Sequence, residues 1–323
     1  MTVKNDVWIF RSGGSVCLWN GQSAVRLADS SGVSYAAISD DGAVIAFPRQ
    51  VDDLRAELWA VNADGAGERL LVCADDFAAM NPIADGVLPN QIRWKPDSHQ
   101  LFFNTKQAGF GETLRDDLRM ADADALEQNT ILEIGSGGQF KFSPDGSQIA
   151  LVTPTTISIV NENGGDRRDA LAFAEVSTQS EYRFYPDPVW DADSQSLRAA
   201  TSSPDPSAPD AALNVWYIPS DGSPASLLST FATGPRHPES PVAFSPDLSR
   251  IAIFAGPALR LAKVDGSEDV IYHTGNMDSY FVWRSDSEFA FVLDGVLQWG
   301  QVGGPFAPAP PPQPVNVPLA EGC

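Results

Sequence analysis

One recurring motif constrains this chain more than anything else in it. In "FSPDGSQIALV", Phe142 to Val152, an aromatic residue precedes a Ser-Pro-Asp-Gly turn and an almost unbroken apolar run follows. The pattern returns as "AISDDGAVIAF" from Ala37, "RWKPDSHQLFF" from Arg93, "VWDADSQSLRA" from Val189, "AFSPDLSRIAI" from Ala243 and "VWRSDSEFAFV" from Val282. The turn aspartates Asp41, Asp97, Asp145, Asp193, Asp247 and Asp286 mark six copies. A strand-rich unit repeating every ~40 to 50 residues is the signature of propeller blades.

Each copy carries a second turn signal: "NADG" at Asn62, "DADA" at Asp122, "NENGG" at Asn161, "PSDG" at Pro219, "KVDG" at Lys263 and "QVGG" at Gln301. Asp, Asn and Gly recur there because tight hairpins need a positive φ or a side chain that bonds its own backbone. In the third copy the runs between turns are "QFKFS", "QIALVT", "TISIV" and "DALAF", a four-stranded antiparallel meander. The second run is apolar on both alternating faces, as in "VIAF", "IALV" and "IAIF", so these sheets are covered on both sides by their neighbours. Trp94, Trp190 and Trp283, with Phe142 and Phe244, precede the first turn, and Trp59, Trp216 and Trp299 fall in the third strand. Their periodicity reads as packing between blades.

Before the first copy, "VWIFR", "SVCLW" and "AVRLA" give three strands of a further unit that lacks an innermost one. The tail, residues 305–323, is proline-rich and contains "VNV" at Val315 to Val317, a candidate for the missing strand. The expected fold is therefore all-β, a seven-bladed β-propeller of four-stranded antiparallel blades spanning residues 1–304 and closed by its N- and C-terminal strands. Six blades is the alternative. Pro305 to Pro314 also reads as an extended linker.

At the level of residues, Phe142 to Gly146 with Ile149 to Leu151, and Phe244 to Asp247 with Ile251 to Ile253, resemble the TolB-like propeller repeats, relatives of WD-repeat blades. The resemblance spans roughly residues 34 to 300. It implies structural turn aspartates and a place at the cell envelope or outside the cell, where such blades occur in Tol-system proteins, surface proteins and accessory domains of peptidases. The α/β domain of the periplasmic TolB protein and the catalytic domain of propeller-bearing peptidases have no counterpart in the sequence.

Lys and Arg total 21 against 42 Asp and Glu, a formal charge of −21. Such a surface repels nucleic acid and anionic lipid. No apolar run reaches the ~18 residues of a membrane span, and Met1 to Asn20 lack the apolar core of a signal peptide. The expectation is a soluble chain, either cytoplasmic or already processed. Cys17 and Cys73 read as buried small hydrophobes rather than as partners in a disulfide, and Cys323 is left over.

Signals for chemistry are sparse. There is no G-x-S-x-G elbow. His99, His237 and His273 fall in different repeats with no metal-ligand spacing, and His99 reads as solvated. "NENGGD" from Asn161 and "DADA" from Asp122 lack the distal glutamate of a calcium loop and read as turns, so no cofactor is expected beyond calcium at the acidic surface. The long connections are 50–56, 74–89, 105–117, 174–185, 202–212 and 231–239, all on one predicted face. Phe77, Met80, Phe110, Tyr182, Arg183, Tyr185, Arg236 and His237 are its candidate exposed binding residues, with "SEYRFYPDPVW", Ser180 to Trp190, the richest stretch. The expected function is a non-catalytic scaffold for a protein or peptide partner. The competing readings are a propeller hydrolase or lyase acting from the axial funnel, and a cytoplasmic assembly scaffold.

Overall fold

A computed structural model describes residues 2–4, 7–12, 15–19, 24–29, 35–80, 86–109, 113–238, 240–275 and 277–308. The first sheet holds β1 (Thr2–Lys4), β2 (Val7–Ser12), β3 (Ser15–Trp19) and β4 (Ala24–Asp29) in that order. The first two motif copies form β5 (Ala37–Ile38), β6 (Val44–Asp52), β7 (Arg55–Asn62) and β8 (Arg69–Val72), then β9 (Val87–Trp94), β10 (Gln100–Gln107), β11 (Leu118–Asp122) and β12 (Gln128–Leu132). These two meanders merge into one eight-stranded sheet through a single parallel contact between Arg55 and Val87.

Four further copies give four-stranded sheets in chain order. They are β13 (Gln139–Phe142), β14 (Gln148–Val152), β15 (Thr156–Asn161) and β16 (Arg168–Ala172); β17 (Val189–Trp190), β18 (Ser196–Ser202), β19 (Ala212–Pro219) and β20 (Ser226–Ala232). Then come β21 (Val242–Phe244), β22 (Arg250–Ala255), β23 (Ala258–Lys263) and β24 (Val270–Thr274), and finally β25 (Met277–Trp283), β26 (Glu288–Leu293), β27 (Val296–Gln301) and β28 (Phe306–Pro308).

Two expectations about the chain ends change. The N-terminal unit does not lack a first strand, because Thr2–Lys4 pairs antiparallel with β2, with Val3 opposite Trp8. At the other end Phe306–Pro308 pairs with β27, so the last meander runs past the boundary drawn at residue 304. The closing strand expected at 315–317 lies outside the described residues.

The chain divides into two compact units that the repeat pattern did not reveal. Among the described residues, one comprises those up to Phe142 with Asn161–Gly165, the other Ser143–Val160 with those from Asp166 to Pro308. In the first unit the first strands are successive neighbours, β1 touching β5 and β5 touching β9. Its core joins Val44, Leu58, Val72, Phe77, Trp94, Leu101 and Phe103.

The second unit shows why the middle strands are apolar on both faces. Leu197 and Ala199 of β18 pack with Ala150, Ile157 and Ile159, whereas Ala200 packs with Ile251 and Ile253 of the following sheet. On β22 the alternation repeats: Ile251 and Ile253 face back, and Ala252 and Phe254 face forward onto Phe289 and Phe291. Each sheet is thus core on two sides, and each large side chain so buried contributes roughly 1.5 to 3 kcal/mol of transfer free energy.

In the first, third and fifth copies the turn between first and second strands repeats atom for atom. Ser39, Ser143 and Ser245, all fully buried, donate to Asp41, Asp145 and Asp247 Oδ1 at 2.6 Å. Each serine Oγ also accepts the backbone N–H five residues on, at 2.9 to 3.0 Å. Gly42 and Gly146 hold the left-handed position of this turn, with φ of 75° and 71°. The turns also join neighbouring meanders: Asp97 N donates to Asp40 Oδ2, Asp145 N to Ser194 Oγ and Asp247 N to Asp286 Oδ1. Trp94 and Trp283 donate their indole N–H to Ala37 O and Ala243 O at 3.0 Å, so these rings stitch one meander to the next as well as pack between them.

Candidate functional site

The residues expected on one exposed face meet different fates. Phe77 is 1 % exposed, edge-on to Phe103 at 5.9 Å. It sits in α1 (Ala74–Ala79), a short helix inside the 74–89 connection, capped by Cys73 Sγ accepting from Asp76 N. Met80 packs on the same core. Both serve the first unit's interior, because a helix laid over a sheet must bury its apolar side. Phe110 lies outside the described residues. The insertion expected at 50–56 is largely strand, with Asp52 opposite Arg55 across a tight hairpin.

In the second unit Tyr182 is 51 % exposed, and exposed Arg183 pairs with Glu175 at 3.6 Å. Tyr185 and Arg236 line one cavity of about 150 Å³, together with Phe184, Val242 and Phe244. Arg236 and His237 line an adjoining groove of about 490 Å³. Arg236 is buried rather than exposed.

A cleft in the first unit was not anticipated. It measures about 560 Å³ and runs along three successive first strands, with Tyr35, Ala37, Asp40, Asn90, Gln91, Arg93, Lys141 and Phe142 on its walls. Alternation places the polar groups there: Ile92 and Trp94 are buried while Arg93 between them is exposed. Lys141, half-buried, lies between buried Phe140 and half-buried Phe142.

The walls are fixed by hydrogen bonds. Tyr35 donates its hydroxyl to Asn90 O at 2.8 Å, and burial pushes its pKa well above the phenol range, so it stays neutral. Buried Asn104 accepts from Gln91 N and donates to Gly138 O, and Gln91 Oε1 accepts from Phe140 N. These bonds tie β9 to β13.

The signal for this cleft was present in the sequence. Four residues before each turn aspartate stand Ala37, Arg93, Lys141, Val189, Ala243 and Val282. Four copies put Ala or Val there, and only the second and third put a cation.

The expectation of a solvated His99 is corrected. Its Nδ1 lies 2.9 Å from Asp124 Oδ2 and its Nε2 3.1 Å from Asp41 Oδ2, bridging two turns. Burial pulls the imidazole pKa down, but hydrogen bonds and charge from Asp124 and Asp41 outweigh it and raise it overall. Asp41 falls to about 2, first through the Ser39 hydroxyl and then the Ala43 N–H. The suspected calcium loops are turns: Asp122 Oδ1 accepts from Asp124 N and Ala125 N, and Asn163 Oδ1 from Gly165 N. Among the described residues no group of three His, Cys, Asp or Glu is arranged to hold a metal ion. Cys17 is buried as expected but disulfide-bonded, while Cys73 is free. No helix among the described residues is long and apolar enough to cross a membrane.

No family profile matches the sequence, and no curated protein matches it. Solved structures do. An oligogalacturonate lyase in complex with manganese superposes with a TM-score of 0.60 at 14% identity, over 89% of this chain and 82% of that one. An oligogalacturonate lyase from Vibrio parahaemolyticus gives 0.56 at 13%, over 95% and 92%. A prolyl endopeptidase gives 0.55 at 12%, over 94% of this chain but 49% of its own. The likeness establishes an all-β, β-propeller fold of four-stranded antiparallel sheets. It also overturns the functional expectation: these three structures are lyases and an endopeptidase, which counts against a non-catalytic scaffold. The absence of a G-x-S-x-G elbow was too narrow a test, since it addresses serine hydrolases alone.

Proposed function

We propose that this chain is a propeller enzyme that cleaves an acidic oligosaccharide by elimination, from the cleft between the first strands of its first unit. The observation that carries the reading is the pair Arg93 and Lys141, cations on adjacent first strands at a position that is Ala or Val in every other copy. In a chain of net charge −21, two cations converging on one cleft select an anionic ligand. The likeness to the lyases supports it further, because nearly the whole of those chains is matched, whereas the endopeptidase is matched over half.

Elimination beside a carboxylate removes the proton on the carbon next to it. The electron pair left behind forms a carbon–carbon double bond, the neighbouring C–O bond breaks, and the departing oxygen takes up a proton. Charge accumulates on the carboxylate as the proton leaves, and a guanidinium fork matches that carboxylate geometrically. Arg93 takes this role; the amine of Lys141, once it has given up its own proton, takes the proton from carbon and returns it to the departing oxygen. Tyr35, held neutral and already donating to Asn90 O, shapes the wall.

The described residues do not fit the manganese of the first lyase. Their nearest approach to a donor cluster is Asp41, His99 and Asp124, where both imidazole nitrogens already face carboxylates. No step is assigned to a metal.

A seven-bladed ring of TolB-like repeats is part of the same proposal, supported by the motif residues and by strands β1 to β28 falling into seven four-stranded meanders. So is a site of action outside the cytoplasm, supported by the disulfide at Cys17.

The test is ultraviolet detection of the unsaturated uronate product from oligogalacturonate. Arg93→Ala and Lys141→Val install the residues of the other copies. Each should lower the rate by ~10²- to 10³-fold with little change in thermal midpoint. No product from the wild-type chain, or variants as fast as wild type, would overturn the proposal.

A further inference from the structure

Arg236 is 6 % exposed, yet among the described residues no carboxylate pairs with it. Its Nη1 donates to Ser202 Oγ at 3.1 Å and its Nη2 to Ser240 O. A guanidinium has five N–H donors. Two are used, and Nε is buried with no acceptor. Burial alone, unopposed by any neighbouring charge, lowers its pKa to about 10, so it remains charged at neutral pH. A buried cation without a counter-charge is among the most costly arrangements a fold can retain.

The surroundings indicate what completes it. Arg236 forms part of the wall of both second-unit cavities, the 150 Å³ pocket beside Tyr185 and the 490 Å³ groove. The groove is lined by Ser177, Thr178, Gln179, Ser207 and His237, side chains that bond hydroxyl groups, and its volume suits a small molecule. The segment is held in place: Arg236 N donates to Pro206 O at 2.8 Å, and prolines 235 and 238 flank the pair Arg236 and His237.

We infer that Arg236 is the anchor of a second ligand site, separate from the Arg93 and Lys141 cleft, that takes a small hydroxylated carboxylate such as a sugar acid. The carboxylate supplies the missing counter-charge and accepts from the terminal N–H groups that Ser202 and Ser240 leave unused, and the groove's hydroxyl and amide side chains hold the rest. The inference does not depend on the reaction proposed above.

The probe is galacturonate, with galactose as the uncharged control and sulfate as the oxyanion control, titrated calorimetrically into the full chain carrying Arg93→Ala and Lys141→Val. That background removes the cleft's own affinity for the acid. Galacturonate should bind with one-site stoichiometry, at least about tenfold more tightly than galactose, and Arg236→Gln should weaken it by a similar factor. Sulfate binding as tightly as the sugar acid would reduce the site to a bare oxyanion site and overturn the sugar-acid assignment. In the otherwise native chain the Arg236 Nε–H resonance should shift on adding galacturonate, a readout that survives if Arg236→Gln fails to fold. A stationary resonance, or equal affinity for galacturonate and galactose, would overturn the inference.

Discussion

The first strands of the two units obey the same repeat and differ at one position. In the second unit Ala243 and Val282 precede the Phe and Trp that pack between sheets; in the first, Arg93 and Lys141 stand in their place. Everything around the position is conserved in kind. Trp94 and Trp283 make the same indole bond to the preceding first strand, and Ser39 and Ser245 bond the same aspartate oxygen at the same distance. Since four copies do without a cation, the fold does not need one there. What a repeat protein shares between copies is what stacking requires, and departures confined to one cleft point to a ligand.

The sharpest way to break this contrast uses two adjacent residues. Phe140, 1 % exposed, and Lys141 sit side by side on β13 and point to opposite faces. Phe140→Ala should cost roughly 3 to 5 kcal/mol, read as a large drop in the denaturant midpoint, because it empties a core site that the neighbouring rings cannot refill. Lys141→Val should stay within about 0.5 kcal/mol of wild type. Comparable losses for both would mean that Lys141 is structural and would remove the cleft argument.

A smaller effect separates turn from cleft. Ser143→Ala deletes the hydroxyl that bonds Asp145 and leaves Gln148 N without its side-chain acceptor. About 1 to 2 kcal/mol should be lost, with turnover of any cleft substrate unchanged once the chain is folded. Ser245→Ala, in the equivalent turn, should behave alike. A change in turnover without a change in stability would show that the turn face, not the cleft, carries the chemistry.

The strands were legible because the signal behind them was repeated six times. "QIALV" announced β14 by its turn and apolar run, and the two-sided burial of β18 and β22 follows from the same pattern. Features that occur once were harder to read. Thr2–Lys4 is three residues long and becomes a strand only by pairing with β2. The polar stretch Gln50–Ala56 looks like a loop, yet it continues two strands whose hydrogen bonds do not depend on burial. The exposed-aromatic reading failed at Phe77 because its helix folds the ring inward, and it missed that Arg236 is buried, which no local pattern encodes. Arg93 and Lys141 were overlooked for a different reason: aligning the copies for what they share hides the position at which two of them depart.

The smallest expected effect concerns the turns that join β9 and β10 to their neighbours. His99 faces Asp41 and Asp124 directly, Trp94 edge-on at 6.3 Å, and Arg69 competes for Asp124 at 3.9 Å. Its folded pKa lies above the ordinary 6.5, so the stability it contributes is fully present below 6.5 and is lost as pH rises through the folded value. Asp41 acts at the other end. Its pKa of about 2 lies below the ordinary 3.8, so its contribution is present above 3.8 and is lost as pH falls toward 2. The thermal midpoint should therefore be highest between these limits and decline gently above 6.5. His99→Gln keeps a hydrogen-bonding side chain and removes the titration, so its curve should be flatter than wild type above 6.5 and parallel to it on the acid side. Parallel curves above 6.5 would mean that the imidazole bridge carries no charge.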